Sequence, residues 1–176
     1  LDEIGTINTY VDYPKEPEPY VPSPDAKPPT IFVDTLRAEV SDEYARVAQD
    51  PSAGFHFNTG RRLAAMLEYR DDWLERLPEV AIEAFAGTGN PFGLGQIHAG
   101  ATVVDIGCGA GLDTLIAANM VGPEGAVIGV DMTKEMIQRA RRNARAIGVR
   151  NVEIKRGFIE DLPVEDEWAD VVISNG

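Results

Sequence analysis

Hydrophobic and polar positions change rhythm near residue 100. Beyond it, "ATVVDIG" (101–107) reads as a buried strand, "LDTLIAANMVG" (112–122) as a helix and "GAVIGVD" (125–131) as a second strand. "TKEMIQRARRNARAIG" (133–148) follows as a helix stopped by Gly148, then "NVEIKRG" (151–157) and "ADVVISN" (169–175) as two more strands. Strand and helix alternating at this spacing predict an α/β fold of βαβ units, a parallel sheet joined by right-handed crossovers. Upstream the period is helical. In "IFVDTLRAEVSDEYARVAQD" (31–50) the residues Leu36, Val40, Tyr44 and Val47 share one face, and Pro51 and Gly54 end the element. "RRLAAMLEYRDDWLERLPEVAIEAFAG" (61–87) gives two short amphipathic helices broken near Asp71 and Pro78, and "GTGNPFGLG" is a Gly/Pro loop. Residues 1–30, crowded with proline, read as an extended arm. The expected organisation is an arm at 1–30, a helical cap segment at 31–98 and a sheet domain over 99–176.

Composition narrows the class. A chain of 176 residues with 44% apolar content can bury one core. No apolar run reaches the length of a bilayer span, and the acidic start lacks the basic and apolar regions of a signal peptide, so a cytoplasmic protein is expected. The net charge of −13 argues against sequence-independent binding to nucleic acid or an anionic membrane, which runs on neutralising phosphates. Cys108 is alone and cannot form an internal disulfide; with only His56 and His98 beside it, no metal site is expected. The run Arg139, Arg141, Arg142 and Arg145 reads as a solvated helix face, His98 as exposed, and Trp73 and Trp168 as packing residues.

The glycine-rich turn between the first strand and helix, "VVDIGCGAGLDT", carries the chemistry. A dinucleotide fingerprint would need its third glycine at 112, where the chain has Leu112, and no Gly-Lys-Ser/Thr ending marks a phosphate loop. Asp105, two residues before Gly107, is a poor neighbour for pyrophosphate and a good one for an ammonium. Asp131 ends the second strand at the carboxyl edge of the sheet, where a carboxylate can accept both hydroxyls of a ribose. Adenosine at one end and a zwitterionic amino acid at the other describe S-adenosylmethionine, which glycines without a Cβ let the backbone approach.

"VVDIGCGAGLDT", "VIGVDMTKEM", "GFIEDLPV" and "DVVISNG" resemble, in order, the first four motifs of class I S-adenosylmethionine-dependent methyltransferases. "DMTKEM" and "FAGTGNPFGLG" draw the resemblance toward the arsenite methyltransferase-like group (methyltransferase type 11). It covers about residues 84–176. The resemblance implies a Rossmann-like sheet of which strands one to four, in the order 3-2-1-4, are present, so that 99–176 forms the N-terminal half of the cofactor-binding domain. It also implies that Gly107, Gly109 and Gly111 form the cofactor loop, that Asp105 reaches the methionine amino end and that Asp131 holds the ribose. Met132 would pack on the adenine face, Ile159 and Glu160 would border its edge, and Ser174 with Asn175 would pass beneath the sulfonium. The helical segment would cover the site, bringing Tyr44 or His56 near the methyl acceptor.

Arsenite methyltransferases of that group bind trivalent arsenic through thiolates, one directly after the Ser-Asn of the fourth motif. This chain has Gly176 there and no cysteine upstream of its sheet domain. The expected activity is therefore methyl transfer from S-adenosylmethionine to a small-molecule acceptor, with S-adenosylhomocysteine as product and the acceptor and catalytic side chains unassigned. Arsenite methylation with thiolates supplied downstream, and a non-catalytic S-adenosylmethionine-binding module, stand as the alternatives. With only four strands legible, the fourth would lie at a sheet margin, so a fragment of a longer enzyme, or self-association through that edge, is expected.

Overall fold

The computed structural model describes residues 32–51, 53, 55 and 57–175; the arm at 1–30 and His56 lie outside them. Four parallel strands form one sheet in the order β3-β2-β1-β4: β1 (Thr102–Ile106), β2 (Ala126–Asp131), β3 (Val152–Arg156) and β4 (Val171–Ser174). This is the Rossmann-like order that the resemblance implies. Alternation along the strands sends side chains to both faces, and over β1 and β2 both are covered, whereas Val172 on β4 is exposed. Val103 and Val127 pack on Ala117 and Val121 of α5 (Leu112–Val121), while Val104, Ile128 and Val130 are covered by Leu162, Val164 and Trp168. Helix α5 is buried almost all round, as its Ala/Leu composition requires. Helix α6 (Lys134–Ile147) is strongly amphipathic and ends, as expected, at Gly148 in the left-handed conformation.

The cap begins with α1 (Val33–Gln49). The 60–87 stretch forms three short helices rather than two: α2 (Gly60–Met66), α3 (Asp71–Leu74) and α4 (Glu79–Glu83). The expected breaks at Asp71 and Pro78 are present. An additional interruption falls at Glu68, which takes a φ of 59°, and the next residue, Tyr69, turns inward to 5% exposure. Burying that ring against Phe85 and Phe92 outweighs continuing α2 by one more turn.

The expectation of a solvated arginine face on α6 is corrected at Arg139. Its side chain is buried and donates from Nη1 to the carbonyl of Ala48 (2.7 Å) and from Nε and Nη2 to that of Val80 (3.1 and 2.8 Å). One guanidinium thus joins α6 to the end of α1 and the start of α4. The planar fork suits two carbonyls whose helix-end partners are otherwise missing. Arg142 and Arg145 are exposed, whereas Arg141 reaches back to the carbonyl of Ile154 at 2.6 Å. His98 is exposed, and Trp73 packs edge-on against Phe92. Among the described residues no helix is long and apolar enough to cross a membrane.

Candidate functional site

A cavity of about 440 Å³ opens at the carboxyl ends of the strands, within the range of small-molecule sites. Its floor is the turn from β1 into α5. Gly107 and Cys108 both donate their N–H to the carbonyl of Val130, which ties the turn to β2. Asn143 of α6 donates to the carbonyl of Ala110 at 2.9 Å and holds the turn's far side. Gly107 and Gly109 adopt φ values of 74° and 51°, and a Cβ added at either would meet no atom within 4 Å. The backbone is therefore bare toward the cavity. Gly111 differs: it does not line the cavity, and its α-carbon packs against Ala140 of α6, where a Cβ would come within 3.2 Å. Its need for glycine is helix packing together with a left-handed N-cap.

Apart from Gly111, the expected cofactor residues meet in one place. Asp105, Gly107, Gly109, Asp131, Met132, Ile159, Glu160, Ser174 and Asn175 all line the cavity, and so does Tyr44 from α1. Asp131 accepts from the N–H of Gly109 (2.8 Å) and from that of Thr133 (2.7 Å), one on each oxygen, which links the glycine turn to the start of α6. Burial raises its pKa, and those backbone hydrogen bonds oppose the rise. Asp105, 1% exposed, accepts from the Thr114 hydroxyl at 2.6 Å. Ser174 donates to the carbonyl of Ile106. Glu160 pairs with Arg37 of α1 at 3.0 Å, and the same guanidinium lies 4.5 Å over the Phe158 ring.

Two charged lining residues escaped the sequence reading. Asp113, in the first turn of α5, is buried and accepts from the Tyr69 hydroxyl at 2.7 Å and from Asn175 Nδ2 at 2.8 Å. Arg37 supplies the one arginine or lysine of the described lining. Asp113 left a readable trace, since it is the single carboxylate in the otherwise apolar helix pattern "LDTLIAANMV". An acid that cannot reach solvent there must have a partner.

The electrostatics are one-sided. Asp105, Asp113, Asp131 and Glu160 face the cavity against Arg37, which Glu160 already engages. Burial, then the charge of Asp113, raises the pKa of Asp105 to about 8; burial raises that of Asp113 to about 6, against the hydrogen bonds from Asn175 and Tyr69. Tyr69 is held neutral by burial and by Asp113. Burial, together with Asp105 and Asp131, also pushes the Cys108 thiol up, so it sits as a neutral packing residue rather than a thiolate. Such a lining disfavours phosphate and favours a ligand carrying positive charge.

A Rossmann-like sheet whose first turn is bare glycine backbone and whose second strand ends in an acid is an arrangement suited to a ligand carrying a ribose. Residues 97–176 match the family described as "Methyltransferase domain". An arsenite methyltransferase of Halobacterium salinarum is 53% identical over 89 residues, which is 51% of this chain and 23% of that protein. An arsenite methyltransferase of Aquipseudomonas alcaligenes is 40% identical over 43% of this chain and 24% of its own length. A demethylmenaquinone methyltransferase of Bacillus cytotoxicus is 34% identical over 44% of this chain and 32% of its own. The chain thus spans about a third or less of these relatives.

Proposed function

We propose that the cavity binds S-adenosylmethionine and that the protein to which this chain belongs transfers its methyl group to a small-molecule acceptor. The observation that carries the reading is the cavity's set of acids: buried Asp105 and Asp113 toward one end, half-buried Asp131 toward the other, one arginine already paired, and bare backbone between them. The cofactor is cationic at its ammonium and its sulfonium, and the sulfonium supplies both the activated methyl and the leaving group. The residues then have three tasks. Asp131, fixed by two N–H groups, offers its remaining lone pairs to the ribose hydroxyls. Asp105 faces the ammonium, while Met132, Ile159 and Glu160 border the adenine. Gly107 and Gly109 let the backbone close on the cofactor, and Ser174 and Asn175 end the strand beneath the sulfonium. Leu36, Val40 and Tyr44, one face of α1, wall the cavity with apolar surface, which excludes water and suits alignment of a small acceptor.

An arsenic acceptor has its support in the two arsenite methyltransferase relatives. Within these 176 residues the single thiol is buried Cys108, so a soft-metalloid site would need thiolates from elsewhere. Calorimetric titration with S-adenosylhomocysteine tests the cofactor reading. Asp131→Ala is expected to weaken binding by about 1.5–3 kcal/mol, the range for hydrogen bonds to a charged group. Equal affinity in variant and parent would remove the ribose from Asp131. A methyl-release assay with candidate acceptors then separates an enzyme from a binding module.

A further inference from the structure

The cavity has two ends. Asp131 at the tip of β2 and the 158–160 stretch after β3 lie to one side, Asn175 after β4 to the other, with Asp105 on β1 between them. If adenosine occupies the β2 and β3 side, the amino-acid end of the cofactor points toward β1 and β4. There the side chain of Asn175 is surrounded. Its Oδ1 accepts the N–H groups of Thr88 (2.9 Å) and Gly89 (2.7 Å), and its Nδ2 donates to Asp113 Oδ2 (2.8 Å) and Tyr69 Oη (2.9 Å). Every polar valence of the amide is used within the protein. The 87–89 loop wraps it so closely that a Cβ on Gly87 would come within 2.5 Å of Nδ2. Asp113 sits behind this assembly, accepting from both Tyr69 and Asn175, and still lines the cavity beside Asp105.

We propose that Asp113 is a positioning residue for the amino-acid end of the cofactor: it orients Asn175, and through it the 87–89 loop, into the wall of the ammonium's subsite, and faces that ammonium together with Asp105. This rests on the cofactor reading above. The amide of Asn175 could point either way, and only an acceptor on the Nδ2 side and donors on the Oδ1 side select one orientation. Asp113 provides the acceptor, and the N–H groups of Thr88 and Gly89 provide the donors. Losing the carboxylate therefore removes the reason for the loop to close on the end of β4, while Asp131 and the adenosine half of the cavity are untouched. Tyr69, a neutral donor, makes the same network continuous with the cap.

The test compares two ligands on the full 176-residue chain by calorimetry: S-adenosylhomocysteine, which carries the amino-acid end, and 5′-methylthioadenosine, which lacks it. Asp113→Asn preserves volume and an acceptor for Tyr69. It is expected to weaken S-adenosylhomocysteine by about tenfold or more, the scale of one charged hydrogen bond, while leaving 5′-methylthioadenosine unchanged. Asn175→Ala should show the same selectivity. Equal losses for both ligands would mean that Asp113 merely holds the fold, and an unchanged affinity for S-adenosylhomocysteine would mean that it does nothing for this end; either overturns the proposal. If the parent chain binds neither ligand, the cofactor reading fails and takes the proposal with it, an outcome visible before any variant is made.

Discussion

The sheet and helix α1 are held by different means. Helix α5 buries eight of its ten residues, and β1 and β2 place Val103, Val104, Val127 and Val130 at 2% exposure or less. Helix α1 buries two of seventeen, Val47 and Ala48, both near its C-terminal end, and Leu36 near its start remains half exposed. The sheet region is thus secured by apolar area removed from water. Helices α2–α4 share in this, since Ala64, Leu74, Ile82 and Phe85 form one apolar core with Leu112, Leu115 and Ile116 of α5. Before Val47, α1 is held at points instead: Ser41 to Thr133 and Arg37 to Glu160, with Arg139 reaching the carbonyl of Ala48 at its end. Because Leu36, Val40 and Tyr44 of α1 line the cavity, that side of its cover depends on a few polar contacts.

The largest expected effect on that contrast comes from Arg139→Met. The substitution keeps an apolar stem against α6 but leaves the carbonyls of Ala48 and Val80 without their donors. Each lost partner in a buried setting costs about 1–3 kcal/mol, so a loss of roughly 2–4 kcal/mol is expected by denaturant unfolding. Hydrogen exchange should rise in 44–50 and 79–83 well before it rises in β1 or β2. Uniform acceleration across both regions would show that α1 and the sheet open as one unit, and the contrast would be wrong.

The same division explains what was readable beforehand. The strands, helices and glycine turn follow from local signals, because period-2 alternation, Gly148 and the 107–111 spacing each act over a few residues, whereas the strand order comes from the family resemblance. Most of the candidate cofactor residues fall in these motifs and were found through them. The cap was less legible because its contacts are distant: Arg139 lies 91 residues from Ala48, and Asn175 lies 106 from Tyr69. Nothing in "RARRN" distinguishes the buried arginine from its solvated neighbours, since both faces of that helix carry them. Gly111, expected in the cofactor loop, packs against Ala140, because glycine serves a bare backbone and a tight helix contact equally well, and sequence spacing does not separate the two.

Next in size is a pH effect set by the sheet region. Asp105 and Asp113 both hold their protons more tightly in the folded chain than the ordinary carboxylate value of 3.8, with folded values of about 8 and about 6. Between the ordinary value and these, the native state binds more protons than the unfolded one. Stability without cofactor should therefore be fully present below the ordinary value, and fall as pH rises through about 6 and then about 8. Asp170 and Glu79, whose pKa values are lowered by hydrogen bonds from Thr102 and Arg61, work in the opposite sense and lose their contribution only in acid. Thermal denaturation between about pH 5 and pH 9 measures the slope, and Asp105→Asn should flatten its upper part. S-adenosylhomocysteine should flatten it too, because an ammonium beside the carboxylates favours their ionised form. A parent whose stability rose across this interval would show that the two acids are not buried against each other.

The smallest effect concerns the cover alone. Arg37→Ala removes an exposed ion pair with Glu160 and a guanidinium from the face of Phe158, contacts that bind the start of α1 to the stretch after β3. Exposed pairs contribute little to global stability because water and side-chain entropy compete with them, so the unfolding midpoint should not move. Exchange in the first turns of α1 should nevertheless quicken. No buried residue holds α1 before Val47, and Arg37 is its ionic tie to the other side of the cavity. If the cap closes over a bound cofactor, S-adenosylhomocysteine should slow exchange at 33–41 in the parent and much less in the variant. Exchange there that ignores both the ligand and the substitution would separate α1 from the cavity, leaving the sheet region to bind the cofactor without it.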